Sequence, residues 1–169
     1  MSDPTNRILD HNKIAQKINR MAYQIYEDHY DQKEIIMAGI AENGYRLAEL
    51  ICEKLKEIAP FNIKMKSLKV NKKNPLSDEI THDLSEQELK NQCIIVVDDV
   101  LNSGKTMIYG VNSFLKAPLK KLSVAVLVHR SHSRFPVQAD YIGMSLSTTL
   151  QEHIEVDFSK PGDHAAYLS

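Results

Sequence analysis

"IIVVDDVLNSGKT", residues 94–106, runs four apolar residues into two acids and then into a short turn of small residues. Four β-branched residues in succession make a strand buried on both faces, the kind that a parallel sheet covered by helices needs. Met107, Val111, Phe114 and Leu115 then fall at helical spacing and stop before Pro118, so the stretch joins a strand to a helix.

The same alternation extends in both directions. "EIIMAGI" (34–40) and "LSVAVLV" (122–128) are apolar runs of strand length, and "ADYIGM" (139–144) and "HIEVDF" (153–158) are later strands. Ile14, Ile18, Met21, Ile25 and Tyr26 predict an amphipathic helix over 11–30 with Asp10 as its N-cap. Leu47, Ala48, Ile51, Cys52 and Leu55 mark a second helix that follows "AENG" and ends by Pro60. "NIKMKSLKV" (62–70) alternates apolar residues with lysines, as a half-exposed edge strand does. Residues 71–92 are polar and aperiodic, too long for an ordinary connection, and read as a lid, a disordered insertion or a hairpin. The expected fold class is α/β, a mostly parallel sheet flanked by helices in a single domain, 1–169.

A chain of 169 residues that is 43% hydrophobic and 25% charged can bury one core. Twenty-one basic against twenty-two acidic residues give a net charge of −1, so nothing global marks a nucleic-acid or membrane partner. Cys52 and Cys93 stand far apart, form no metal-ligand pattern, and read as small core residues in a reducing compartment. The first residues carry no apolar signal region and no run reaches membrane-spanning length, so the expected location is the cytoplasm.

Ligands of open parallel sheets sit beyond the carboxyl ends of the strands. Three such ends stand out: 39–44, 98–106 and 128–134. A small-residue turn opening a helix offers several backbone N–H groups and the positive end of the helix dipole, an anion site to which Ser103, Lys105 and Thr106 add donors. It is not a Walker A loop, because Asp99 occupies the place of that motif's first glycine. Carboxylates repel phosphate but accept hydrogen bonds from hydroxyls. A ribose 5-phosphate reconciles the two halves, with its diol on Asp98 and Asp99 and its phosphate on residues 103–106.

This block resembles the phosphoribosyl-pyrophosphate (PRPP) signature of type I phosphoribosyltransferases. The likeness extends through "ILDHNKIAQKINRMAYQI", "GIAENGYRLAELI" and "VAVLVHRSHSRFPVQADYIGMSLSTT", and within the family it most resembles the PyrR group of pyrimidine operon attenuators and uracil phosphoribosyltransferases. The resemblance implies a Rossmann-like sheet with a long flexible loop and a small base-binding hood. It implies Mg²⁺-dependent transfer of ribose 5-phosphate from PRPP to a nucleobase, uracil first, by a homodimer of such chains. By the same resemblance Asp98 and Asp99 bind the ribose diol directly or through Mg²⁺. Asn102, Ser103, Gly104, Lys105 and Thr106 form the 5-phosphate loop. Ala41, Glu42, Asn43 and Gly44 bind pyrophosphate through a loop with a strained cis peptide. Tyr141 stacks on the base while the Ile142 backbone reads its edge, His129 and Arg130 line the base pocket, and Lys72 or Lys73 supplies the closing loop's cation.

Four positions depart from that pattern. Purine-specific relatives carry an Asp where this chain has Asn102, and an amide cannot act as that base, which disfavours a hypoxanthine or guanine enzyme. His129 stands where relatives carry Lys or Asp. Glu42-Asn43 replaces Thr-Arg and sets a negative charge near an anionic leaving group unless Glu42 turns away or binds Mg²⁺. Lys73-Asn74 replaces Tyr-Arg in the closing loop. These changes keep open a non-catalytic PRPP- or nucleotide-sensing regulator. An RNA partner would use Lys64, Lys66, Lys69, Lys72 and Lys73, a run that reads first as a solvated edge, with five acids following between Asp78 and Glu88. His129-x-x-His132 lacks a third ligand and reads as polar lining, not a metal site.

Overall fold

In Glu34–Ile40 (β2) every residue but the first is buried, and in Cys93–Leu101 (β4) all are. The computed structural model, which describes residues 6–71, 73, 74, 76 and 80–169, sets these two strands side by side at the centre of a sheet. Asn62–Leu68 (β3) pairs outside β2, while Lys121–Arg130 (β5) and Tyr141–Leu146 (β6) follow β4, giving the order β3-β2-β4-β5-β6 with all strands parallel. β3 is the edge strand that its lysine alternation predicts.

Side chains alternate across these strands, so each apolar run fills two cores. Met37, Ile95, Val97, Ala125 and Leu127 meet His11–His29 (α1) and Ala41–Ile58 (α2). Ile36, Ile94, Val96, Val124 and Val126 meet Met107 and Phe114 of Lys105–Phe114 (α4) on the other side. Asp10 caps α1 as expected, its carboxylate accepting from the Lys13 N–H at 2.8 Å. Both cysteines are buried and free, and burial pushes the Cys52 thiol up to about 12, well away from thiolate chemistry. No helix among the described residues is long and apolar enough to cross a membrane.

A second, three-stranded antiparallel sheet is built from Arg7–Leu9 (β1), Ala165–Leu168 (β8) and Ile154–Asp157 (β7), in the order β1-β8-β7. It is the small hood. Leu9, Ile154, Val156, Phe158 and Ala166 join it to the α1–α2 core. The 153–158 segment therefore leaves the main sheet, and β1 and β8, three and four residues long, have no periodicity to read.

Two boundaries differ from expectation, and a third segment takes one of its expected forms. β4 carries both acids inside it and runs on to Leu101. "AENG" is not a loop before α2 but its first turn. Between residues 71 and 92, Lys69 and Thr81 exchange backbone hydrogen bonds of 3.0 and 3.3 Å, a hairpin closure, and Glu86–Leu89 (α3) forms behind a Ser85–Glu88 capping box. Lys72 and Asp78 lie outside the described residues.

Candidate active site

At the carboxyl end of β4, Asp98 and Asp99 are 3% and 8% exposed, burial that carboxylates tolerate only with partners. Neighbouring residues of a strand face opposite ways, and the two acids divide accordingly. Asp98 accepts from the Asp99 N–H at 2.9 Å and lines a cleft of ≈ 320 Å³ with Leu101, Asn102 and residues 103–107. Asp99 faces α2 and the hood: its Oδ1 accepts from the Val100 N–H and its Oδ2 from the Asn43 amide, both at 2.9 Å. The two carboxylates are adjacent but not interchangeable.

The turn into α4 is set by Gly104, whose φ of +86° suits glycine and whose added Cβ would lie 2.6 Å from the Val137 methyl. Gly104 is also the N-cap, has no side chain of its own to cap the helix, and is followed by no acid in the first turn, so the first-turn amides beyond Lys105 are left for an anion. The Ser103 Oγ accepts from the Lys105 N–H at 3.2 Å, and the Ser103 carbonyl accepts from the Arg134 and Phe135 N–H groups at 2.9 and 3.0 Å. That second pair of bonds brings Arg134 onto the cleft, which Lys73 also lines. Arg134 is the residue that sequence reasoning missed; only the strand-end run "VHRSHSR" hinted at it.

The first turn of α2 closes the other side. Peptide bonds are trans throughout the described residues, contrary to the cis bond expected here, and the strain appears instead as a φ of +53° at Ala41. A Cβ on Gly44 would meet the Val97 carbonyl oxygen at 2.6 Å, so this glycine serves the close approach of α2 to β4. Ala41 and the exposed Glu42 line a separate cleft of ≈ 610 Å³ with Ser67 and Lys69. Of the lysine run, Lys64 and Lys66 pair with Glu88 and Asp83 at 3.7 and 3.5 Å, which takes charge out of the stripe.

The expected base-binding residues separate. Tyr141 cannot stack on a base: it is 2% exposed, and its hydroxyl donates to Asp28 at 2.7 Å. It opens β6 level with Ala125, well back from the strand ends where Leu101, His129 and Ser145 line up. Burial and the Asp28 carboxylate raise its pKa, so it stays a donor. The Ile142 carbonyl accepts from the Arg20 guanidinium at 3.1 Å. Arg130 spends four of its N–H groups on the Thr148 hydroxyl, the Asn102 side-chain oxygen and the Thr149 and Glu152 carbonyls, at 2.7–3.1 Å. It fastens the segment before the hood to the end of β4, beside a cleft of ≈ 500 Å³ that His132 and Arg134 also line.

An acid-tipped central strand, a glycine turn into a helix and an antiparallel hood over parallel strands define the type I phosphoribosyltransferase architecture. The chain belongs to the phosphoribosyl transferase domain family, whose model matches residues 4–159. It is similar to the bifunctional protein PyrR of Fusobacterium nucleatum, 31% identical over 88% of each chain, and to that of Haemophilus ducreyi, 28% identical over 88% of this chain and 87% of that one. Among solved structures, a hypoxanthine-guanine phosphoribosyltransferase of Bacillus anthracis superposes with a TM-score of 0.79 over 100% of this chain and 99% of that one. Its identity of 16% makes that a likeness of fold alone.

Proposed function

We propose that the chain transfers ribose 5-phosphate from PRPP to a nucleobase, uracil first, and releases pyrophosphate. The observation that carries this reading is the one cleft in which Asp98, Asn102–Thr106, Lys73 and Arg134 meet. The amides and hydroxyls of Ser103, Gly104, Lys105 and Thr106 would cradle the 5-phosphate, with Asn102 at the rim and Arg134 as an added cation. Asp98 would accept from the ribose hydroxyls, and the first amides of α2, from Ala41 to Gly44, would receive the leaving group. Lys73 would close over it and exclude water from the sugar carbon. His129, at the end of β5, is the base-facing side chain.

Mg²⁺ commonly binds through one or two carboxylates plus substrate oxygens. Asp98, on the cleft, and the adjacent Asp99 would offer carboxylates in that mode. When bound, the ion would supply neutralisation of the pyrophosphate charge. Fixed protein groups would stabilise the carbocation-like sugar. The cytoplasm and a homodimer are proposed with this reading.

The exposed Glu42 in the first turn of α2 favours a second reading, a PyrR-like regulator that binds PRPP or a nucleotide without turnover. Transfer, and a regulator that senses PRPP, both need Mg·PRPP to bind. Calorimetric titration should detect that binding in the wild type and lose it in Asp98→Asn/Asp99→Asn at unchanged circular dichroism; equal affinity in the two proteins contradicts the assignment.

A further inference from the structure

We propose that Asn43 is a positioning residue that ties the hood to Asp99, so that the ribose subsite and the hood sense each other's ligands. The inference rests on the cleft being a PRPP site. The Asn43 Nδ2 donates to the Asp99 Oδ2 at 2.9 Å and to the Val156 carbonyl at 3.0 Å. A carboxylate and a carbonyl only accept, so the amide's NH₂ end must face them, and its two hydrogens are both used. Although Asn43 sits in the first turn of α2, its side chain has no N–H left for a leaving anion.

Each end of this tie is held firmly. The Asp99 Oδ1 accepts from the Val100 N–H, so both carboxylate oxygens are oriented. Val156 pairs with Ala166 in the middle of β7, so a pull on its carbonyl moves the strand with it. Gly44, next along the chain, seats α2 against the Val97 carbonyl. One amide thus joins α2, the acid of β4 and the hood. A cleft ligand that draws on Asp98, whose Oδ1 accepts from the Asp99 N–H at 2.9 Å, shifts Asp99, changes the sharing of that donor and so the hold on β7. By linkage the effect runs equally in reverse.

Amide hydrogen exchange of the full chain with and without Mg·PRPP, together with calorimetry, tests the tie. In the wild type Mg·PRPP should slow exchange across residues 154–157. In Asn43→Leu, which keeps the volume and loses both donors, Mg·PRPP should bind about tenfold more weakly, the scale of one lost charge-assisted hydrogen bond, and leave exchange at 154–157 unchanged. Asn43→Ser, with a single O–H, should fall between them and decides the matter if the leucine variant does not fold. Weakened binding with the protection of 154–157 intact would make Asn43 a ligand contact and overturn the coupling, as would wild-type behaviour in both variants. Failure of the wild type to bind Mg·PRPP would instead overturn the reading of the cleft, and the coupling with it.

Discussion

At the scale of single residues, the largest difference between expectation and structure is at Tyr141. "ADYIG" placed an aromatic near a strand that serves the site, but strand register decides which end of the strand a residue occupies, and register is not written in a five-residue motif. Level with Ala125 and bonded to Asp28, Tyr141 packs the floor of the sheet. Tyr141→Phe should therefore cost about 1 kcal/mol of stability, the loss of one buried hydrogen bond, and leave nucleobase affinity unchanged. Denaturant unfolding and base titration check the two halves; a loss of base affinity at intact stability would restore the stacking role. Asp98 and Asp99 illustrate the opposite case. Their chemistry was legible from residue type, while their division, one lining the cleft and the other bound by Asn43, needed the strand's alternation and the approach of α2.

At the scale of elements, long apolar runs and strong amphipathic periods were readable because they report burial on one or two faces directly. β2 and α1 lie where their sequences put them, and the stop of α4 before Pro118 follows from the proline. What escaped was short or set by packing. β1 and β8 are too brief to show a period, and the resemblance makes "AENG" a loop where the structure has the first turn of α2. The structure gives Gly44 another purpose, to let α2 begin against the β4 backbone. Gly44→Ala should then destabilise the protein by about 1–3 kcal/mol, the range for forced overpacking, and weaken Mg·PRPP binding by displacing the first turn of α2. Thermal melts and calorimetry would contradict this if both were unchanged.

At the scale of the whole molecule, the two sheets share the core around α1 and α2, and the fold buries two histidines. His29 and His164 are 0% and 4% exposed, with Nε2 atoms that have no hydrogen-bond partner among the described residues. Burial holds the pKa of each below 6.5, and the nearby His11 and Arg46 add to the effect at His164. The folded chain thus keeps these rings neutral while the unfolded chain protonates near 6.5, so their contribution is complete above that pH and is lost as pH falls below it. The melting temperature should drop from pH 7.5 to pH 5.5, and less steeply in His29→Leu; parallel profiles for the two proteins would contradict this. The molecule's proposed purpose is turnover at the cleft beyond the carboxyl end of β4, and pyrophosphate release tests it most directly. The protein is incubated with PRPP, Mg²⁺ and, separately, uracil, hypoxanthine, guanine, xanthine and adenine. The account predicts release with uracil above the level of the base-free control. No release with any base, alongside measurable PRPP binding, would contradict transfer and leave the regulator.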